Sequence, residues 1–78
     1  MVKTQLPVEL RKLGDNVRRI RTSQKMSQER LAELAALNAR TIRHIEAGEI
    51  NILITTVARI RGALGCTWDD LMPPDWKR

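Results

Sequence analysis

The stretch from Gln28 to Ala47, QERLAELAALNARTIRHIEA, constrains this chain more than any other. Small or apolar residues stand at Leu31, Ala32, Ala35, Leu37, Ile42 and Ile45, and polar residues fill most of the rest. Leu31, Ala32 and Ala35 are spaced one and three apart, which puts them on one face of a helix. Ile42 and Ile45 repeat that spacing on a second helix. Asn38 interrupts the run between them and is suited to cap the second helix through its side-chain oxygen. The pattern predicts two short helices joined by a tight turn, with Ala32 leaving room where they cross. The outward face of the second helix then carries Ala39, Arg40, Arg43 and His44.

The flanking sequence adds three more helices. Residues 1–6 read as a loose terminus, and Pro7 suits the first turn of a helix, where its missing N–H is no loss. Leu10, Leu13, Val17 and Ile20 recur at helical spacing and predict helix 1 from about Val8 to Ser23. Gly14 lies inside it and weakens it by roughly 1 kcal/mol relative to Ala, which a close helix crossing would explain. Ser27 is a good N-cap for helix 2, from Gln28 to Ala35 or Ala36; helix 3 follows Asn38 and stops near Gly48. After the apolar run INILI, helix 4 buries Val57, Ile60 and Leu64 and ends at Gly65. Thr67 and Asp70 form a capping-box-like pair for a short helix from Trp68 to Met72, halted by Pro73 and Pro74. The expected fold is all-α: one compact five-helix domain over residues 1–78, packed over 8–72, with a helix-turn-helix in helices 2 and 3.

Charge narrows the class of function. The chain of 78 residues carries a net +5. The basic excess sits between Arg11 and Arg43, where nine basic residues face three acidic ones; the remainder from His44 onward is slightly acidic. Such polarity is the electrostatic footprint of a nucleic-acid binder, although basic residues can also simply solvate helix 1. A single Cys66 allows no internal disulfide, MVKTQLPVEL lacks the apolar core of a signal peptide, and no apolar stretch could span a bilayer. A soluble cytoplasmic protein is expected. One His, one Cys and no recognisable carboxylate pair leave nothing to assemble an enzyme site, a metal site or a cofactor site. Two Trp with no Phe or Tyr do not supply stacking platforms for single-stranded nucleic acid.

From Leu13 to Leu71 the chain resembles the Cro/CI-type (XRE-like, lambda-repressor-like) helix-turn-helix DNA-binding proteins. The residues that carry the resemblance are Leu13-Gly14, Ile20-Arg21, Ser27-Gln28 with Leu31-Ala32, Thr41-Ile42, and Ile45-Glu46 with Gly48. Ala63-Leu64-Gly65 and Trp68-Asp69-Asp70-Leu71 complete the pattern. Three places depart from it. Ala36 stands at the turn where the family usually has Gly, so a left-handed alanine is expected there at roughly 1–2 kcal/mol. Lys25 replaces a common Gly ahead of helix 2, and Ile52 falls where the loop often has Pro.

The resemblance implies that helix 3 enters the major groove of double-stranded DNA while helix 2 lies across the backbone. It places Gln28 against a phosphate, where the N-terminus of helix 2 also offers free N–H groups. Asn51, in the loop after helix 3, matches a phosphate-contacting position. Asn38 and Thr41 are candidates for further backbone contacts. Base readout falls to Ala39, Arg40, Arg43 and His44. Arg40 suits guanine O6 and N7, and Ala39 suits a thymine methyl. For Arg43 and His44, bases and phosphates both remain open, and His44 has the plainer reading of a surface residue without a partner. The family pairs the Glu matching Glu46 with the Arg matching Arg21, which implies a structural ion pair between helices 3 and 1, with a phosphate contact by Arg21 as an addition. Trp68 and Leu71 are expected in the core and Cys66 as a packing thiol.

One helix 3 covers half of a specific site, so a homodimer on a palindrome is expected. The candidate seam is Ile50, Ile52, Leu53 and Trp76; the opposing reading has some of these, Ile54 above all, stapling helix 4 into the core. The leading function is a transcription regulator, most simply a homodimeric repressor, in a phage, restriction-modification or antitoxin setting. The alternative is a protein-interaction module, such as an antitoxin whose main partner is a toxin protein.

Overall fold

The computed structural model describes residues 8–74 and residue 76. These form α1 (Val8–Ser23), α2 (Gln28–Ala35), α3 (Ala39–Glu46), α4 (Ile54–Leu64) and α5 (Trp68–Leu71), with no strand among the described residues. The all-α architecture is therefore the one expected, and α5 stops at Leu71, one residue short of the expected Met72. Residues 1–7, and with them the expectations for the terminus and Pro7, lie outside the described residues.

The helical stripes meet in one apolar cluster. Leu13, Val17 and Ile20 of α1 join Leu31 and Ala35 of α2, Ile42 and Ile45 of α3, Val57, Ile60 and Leu64 of α4, and Leu71 of α5. Each such aliphatic side chain contributes about 1.5–3 kcal/mol relative to exposure. Leu10 is only half-buried and stands at the rim. Contacts run mainly from α1 to α3 and from α2 to both α3 and α4, so α3 is held from two sides. The crossing of α1 and α3 explains Gly14. A Cβ there would lie 2.8 Å from the Glu46 carbonyl oxygen and would collide with the Ile45 carbonyl oxygen.

Helix ends are closed by the means the sequence offers. The Ser27 hydroxyl accepts from the Arg30 N–H at 2.9 Å, and Asn38 Oδ1 accepts from the Arg40 N–H at 2.8 Å. The Thr67–Asp70 capping box is complete, and the Thr67 N–H donating to Asp70 Oδ2 at 3.1 Å holds that carboxyl below the usual carboxylate range. At the end of α2 the Leu37 N–H reaches back to the Ala32 carbonyl at 2.8 Å, which requires Ala36 in the left-handed region at φ 57. Lys25, also at φ 57, closes α1 in the same way. Ala36→Gly relieves the left-handed alanine and gives back part of that gain in chain entropy. We expect a net stabilisation of about 0.5–1 kcal/mol, read as a higher urea midpoint at constant m. An unchanged midpoint would mean that this turn carries no strain.

Two expectations are corrected. Trp68 is half-buried rather than core: the Arg61 guanidinium lies 5.3 Å over its ring, and Trp76 tilts against it at 6.2 Å between centroids. Leu71, fully buried, fills the core position, while Trp68, three residues earlier on the same face, packs against the core from its edge. Ile54 does not staple α4; it is 62% exposed and Leu53 is 72% exposed, while Ile50 and Ile52 pack partly against the core. At about 100° per residue, Ile54 stands roughly a quarter turn away from the centre of the Val57–Ile60–Leu64 stripe.

Candidate nucleic-acid interface

Ile42 and Ile45 anchor α3 from beneath, and what remains outside is polar. Asn38, Arg40 and Arg43 are exposed, and Thr41 is half-buried. Neither arginine pairs with a carboxylate among the described residues, so both guanidinium groups are available to an anion or an acceptor. Ala39 is half-buried and packs in part against the core, which leaves only a fraction of its methyl for a ligand. Asn51 is exposed in the loop that follows.

The underside of α3 is held by charge. The Glu46 side chain is completely buried and accepts from Arg21 Nε at 2.6 Å and Nη2 at 3.0 Å, a bidentate pair. Arg21 Nη1 also donates to the Met26 carbonyl at 2.7 Å, so the same guanidinium fixes the turn ahead of α2. Gln28 Nε2 donates to Glu46 Oε1 at 3.0 Å, and Arg18 Nε stands 3.7 Å from that oxygen. One N–H of the Gln28 amide is thus spent on Glu46, and its second N–H remains for a phosphate, with the α2 N-terminal N–H groups beside it. Sequence reading missed the roles of Gln28 and Arg18 toward Glu46. Arg18 and Arg21, three apart on α1, were the signal that both face one carboxylate.

His44 has a partner after all. Gly48 takes φ 70 and reverses the chain at the end of α3, so that the Glu49 N–H bonds the His44 carbonyl at 3.0 Å. His44 Nδ1 then lies 2.8 Å from Glu49 Oε1. At the other end of the domain, burial pushes the Cys66 thiol up in pKa, with the Asp70 charge adding to it, which fits a packing role rather than a reactive thiolate. Among the described residues no helix is long and apolar enough to cross a membrane, and no three His, Cys, Asp or Glu side chains gather as a metal site.

Leu53 is exposed, Trp76 is 39% exposed, and Ile50 and Ile52 are half-buried. An apolar groove runs beside them, lined by Val8, Leu10, Ile52, Ile54, Pro74 and Trp76 among others.

Comparison with known proteins gives the same picture. The helix-turn-helix family model matches residues 17–71. No curated protein matches the chain in sequence. Among solved structures, the restriction-modification controller protein C.AhdI from Aeromonas hydrophila is 29% identical with a TM-score of 0.81, over 85% of this chain and 100% of that one. The hypothetical transcription factor NHTF from Neisseria is 30% identical with a TM-score of 0.78, over 100% of this chain and 93% of that one. The wild-type restriction-modification controller protein C.Esp1396I is 27% identical with a TM-score of 0.76, over 80% of each chain.

Proposed function

Because the chain belongs to the helix-turn-helix family of the Cro/CI (XRE) type, we propose that it is a sequence-specific regulator of transcription that places α3 in the major groove of double-stranded DNA. The observation that carries this reading is the outward face of α3, where Arg40 and Arg43 stand exposed and unpaired on a helix fixed from below by Ile42, Ile45 and Glu46. A helix N-terminus and two free guanidinium groups match the demands of phosphate and guanine. That face holds no acidic residue from Asn38 to His44, which favours DNA over a protein partner.

Arg40 reads guanine through O6 and N7; Arg43 adds a base or phosphate contact; Asn38, Thr41, Asn51 and the α2 start at Gln28 position the domain on the backbone. Two copies meet through the exposed Leu53 and Trp76 with Ile50 and Ile52 behind them, and present two α3 helices to a palindromic operator. Exposed apolar residues clustered beside an apolar groove support that seam. The simplest regulatory outcome is repression, by occupying the operator. Likeness to two restriction-modification controllers supports that setting over the phage and antitoxin settings.

Selection of bound duplexes from a random library tests this reading, with Arg40→Ala in parallel. Wild type is expected to enrich a short inverted repeat. Arg40→Ala is expected to relax one symmetric pair of positions, at about 1–3 kcal/mol of lost discrimination. Affinity should fall as salt rises, through release of counterions. Enrichment of nothing, with weak salt-insensitive binding, would overturn the proposal.

A further inference from the structure

Gly48 folds the chain back at the end of α3 and brings Glu49 against His44 twice, through its N–H at 3.0 Å and its carboxylate at 2.8 Å. A carboxylate can only accept, so in a neutral imidazole the proton of this bond sits on Nδ1. In that neutral form the second ring nitrogen, Nε2, has a lone pair and no hydrogen. A phosphate oxygen has no proton to give, so the neutral ring is no phosphate ligand at Nε2. In the major groove, the hydrogen-bond donors are the exocyclic amino groups of adenine and cytosine. His44 lies four residues after Arg40 on the same face of α3, with its side chain 44% exposed.

We propose that Glu49 is a specificity-determining positioning residue: by fixing His44 in the Nδ1–H form, it makes the ring an acceptor that selects an amino-bearing base, adenine or cytosine, next to the base met by Arg40. The proposal rests on the reading that α3 enters the major groove. Glu49 itself repels phosphate, so it adds selectivity while opposing non-specific attraction.

The chain contains one histidine, so the ring signals of His44 are unambiguous. A long-range proton–nitrogen NMR spectrum at pH 8 is expected to show the Nδ1–H form in wild type and a shift toward Nε2–H in Glu49→Ala. Duplex selection at the same pH, from a random library, is expected to show adenine or cytosine preferred at one symmetric position by roughly two- to tenfold, the worth of one neutral hydrogen bond. Glu49→Ala and His44→Ala should both lose that preference and no other, with affinity for random duplex unchanged or raised in Glu49→Ala. An Nε2–H ring in wild type overturns the proposal, as does an unaltered preference in Glu49→Ala. So does a uniform loss of affinity in His44→Ala, the mark of a phosphate contact. A wild type that enriches no duplex removes the major-groove reading itself; an enriched inverted repeat without the His44 position removes the Glu49 proposal alone.

Discussion

Arg21→Ala is expected to destabilise the domain by about 3–5 kcal/mol, because it strands a buried carboxylate. Glu46 has no exposed side-chain surface, and Arg21 supplies both of its strongest bonds. Without them Glu46 keeps Gln28 at 3.0 Å and a distant, solvent-screened Arg18 at 3.7 Å. The same change releases the Met26 carbonyl, so the turn before α2 loosens as α3 does. Denaturant unfolding reads the effect directly. In a domain this small such a loss is a large share of total stability, and a fraction of the variant unfolded already in buffer is the expected appearance. Glu46→Gln is milder, since it keeps the shape and one acceptor. A loss below about 1 kcal/mol in Arg21→Ala would mean that the pair behaves as a surface ion pair.

Gly14→Ala carries the second large effect, and its sign is the test. On an exposed helix the change stabilises by about 1 kcal/mol. Here the added methyl meets the carbonyl oxygens of Ile45 and Glu46, which are backbone and cannot rotate away. Overpacking of this kind costs about 1–3 kcal/mol, and we expect a net loss near the upper end as α3 is pushed off α1. Because α3 carries the basic face, duplex selectivity should fall together with stability. Stabilisation, measured as a higher melting temperature, would contradict the observed crossing of α1 and α3.

Much of this was legible in the sequence because each signal was local. Ser27, Asn38 and Thr67 cap the helices that follow them, and their roles need only a few residues of context. Gly48 and Gly65 mark left-handed ends, and the unusual Ala36 and Lys25 were legible as departures from a glycine pattern. What escaped depends on three-dimensional meeting. Gln28 was read from its place at a helix start, yet its amide nitrogen serves Glu46, eighteen positions away. Ile54 matched a core pattern by composition, but it stands a quarter turn around the helix from the Val57–Ile60–Leu64 stripe and is exposed. His44 carried no local sign of a partner, since only the reversal at Gly48 brings Glu49 over its ring.

The most direct test of α3 in the major groove uses modified bases. In the duplex enriched by wild type, the guanine assigned to Arg40 is replaced by 7-deazaguanine, which removes the N7 acceptor from the major groove, or by inosine, which alters only the minor groove. Wild type is expected to lose about tenfold in affinity with 7-deazaguanine, near the low end of a good bidentate contact, and almost nothing with inosine. Arg40→Ala should be indifferent to both. Loss with inosine alone, or equal sensitivity to 7-deazaguanine in wild type and Arg40→Ala, would show that Arg40 on α3 is not what reads the base.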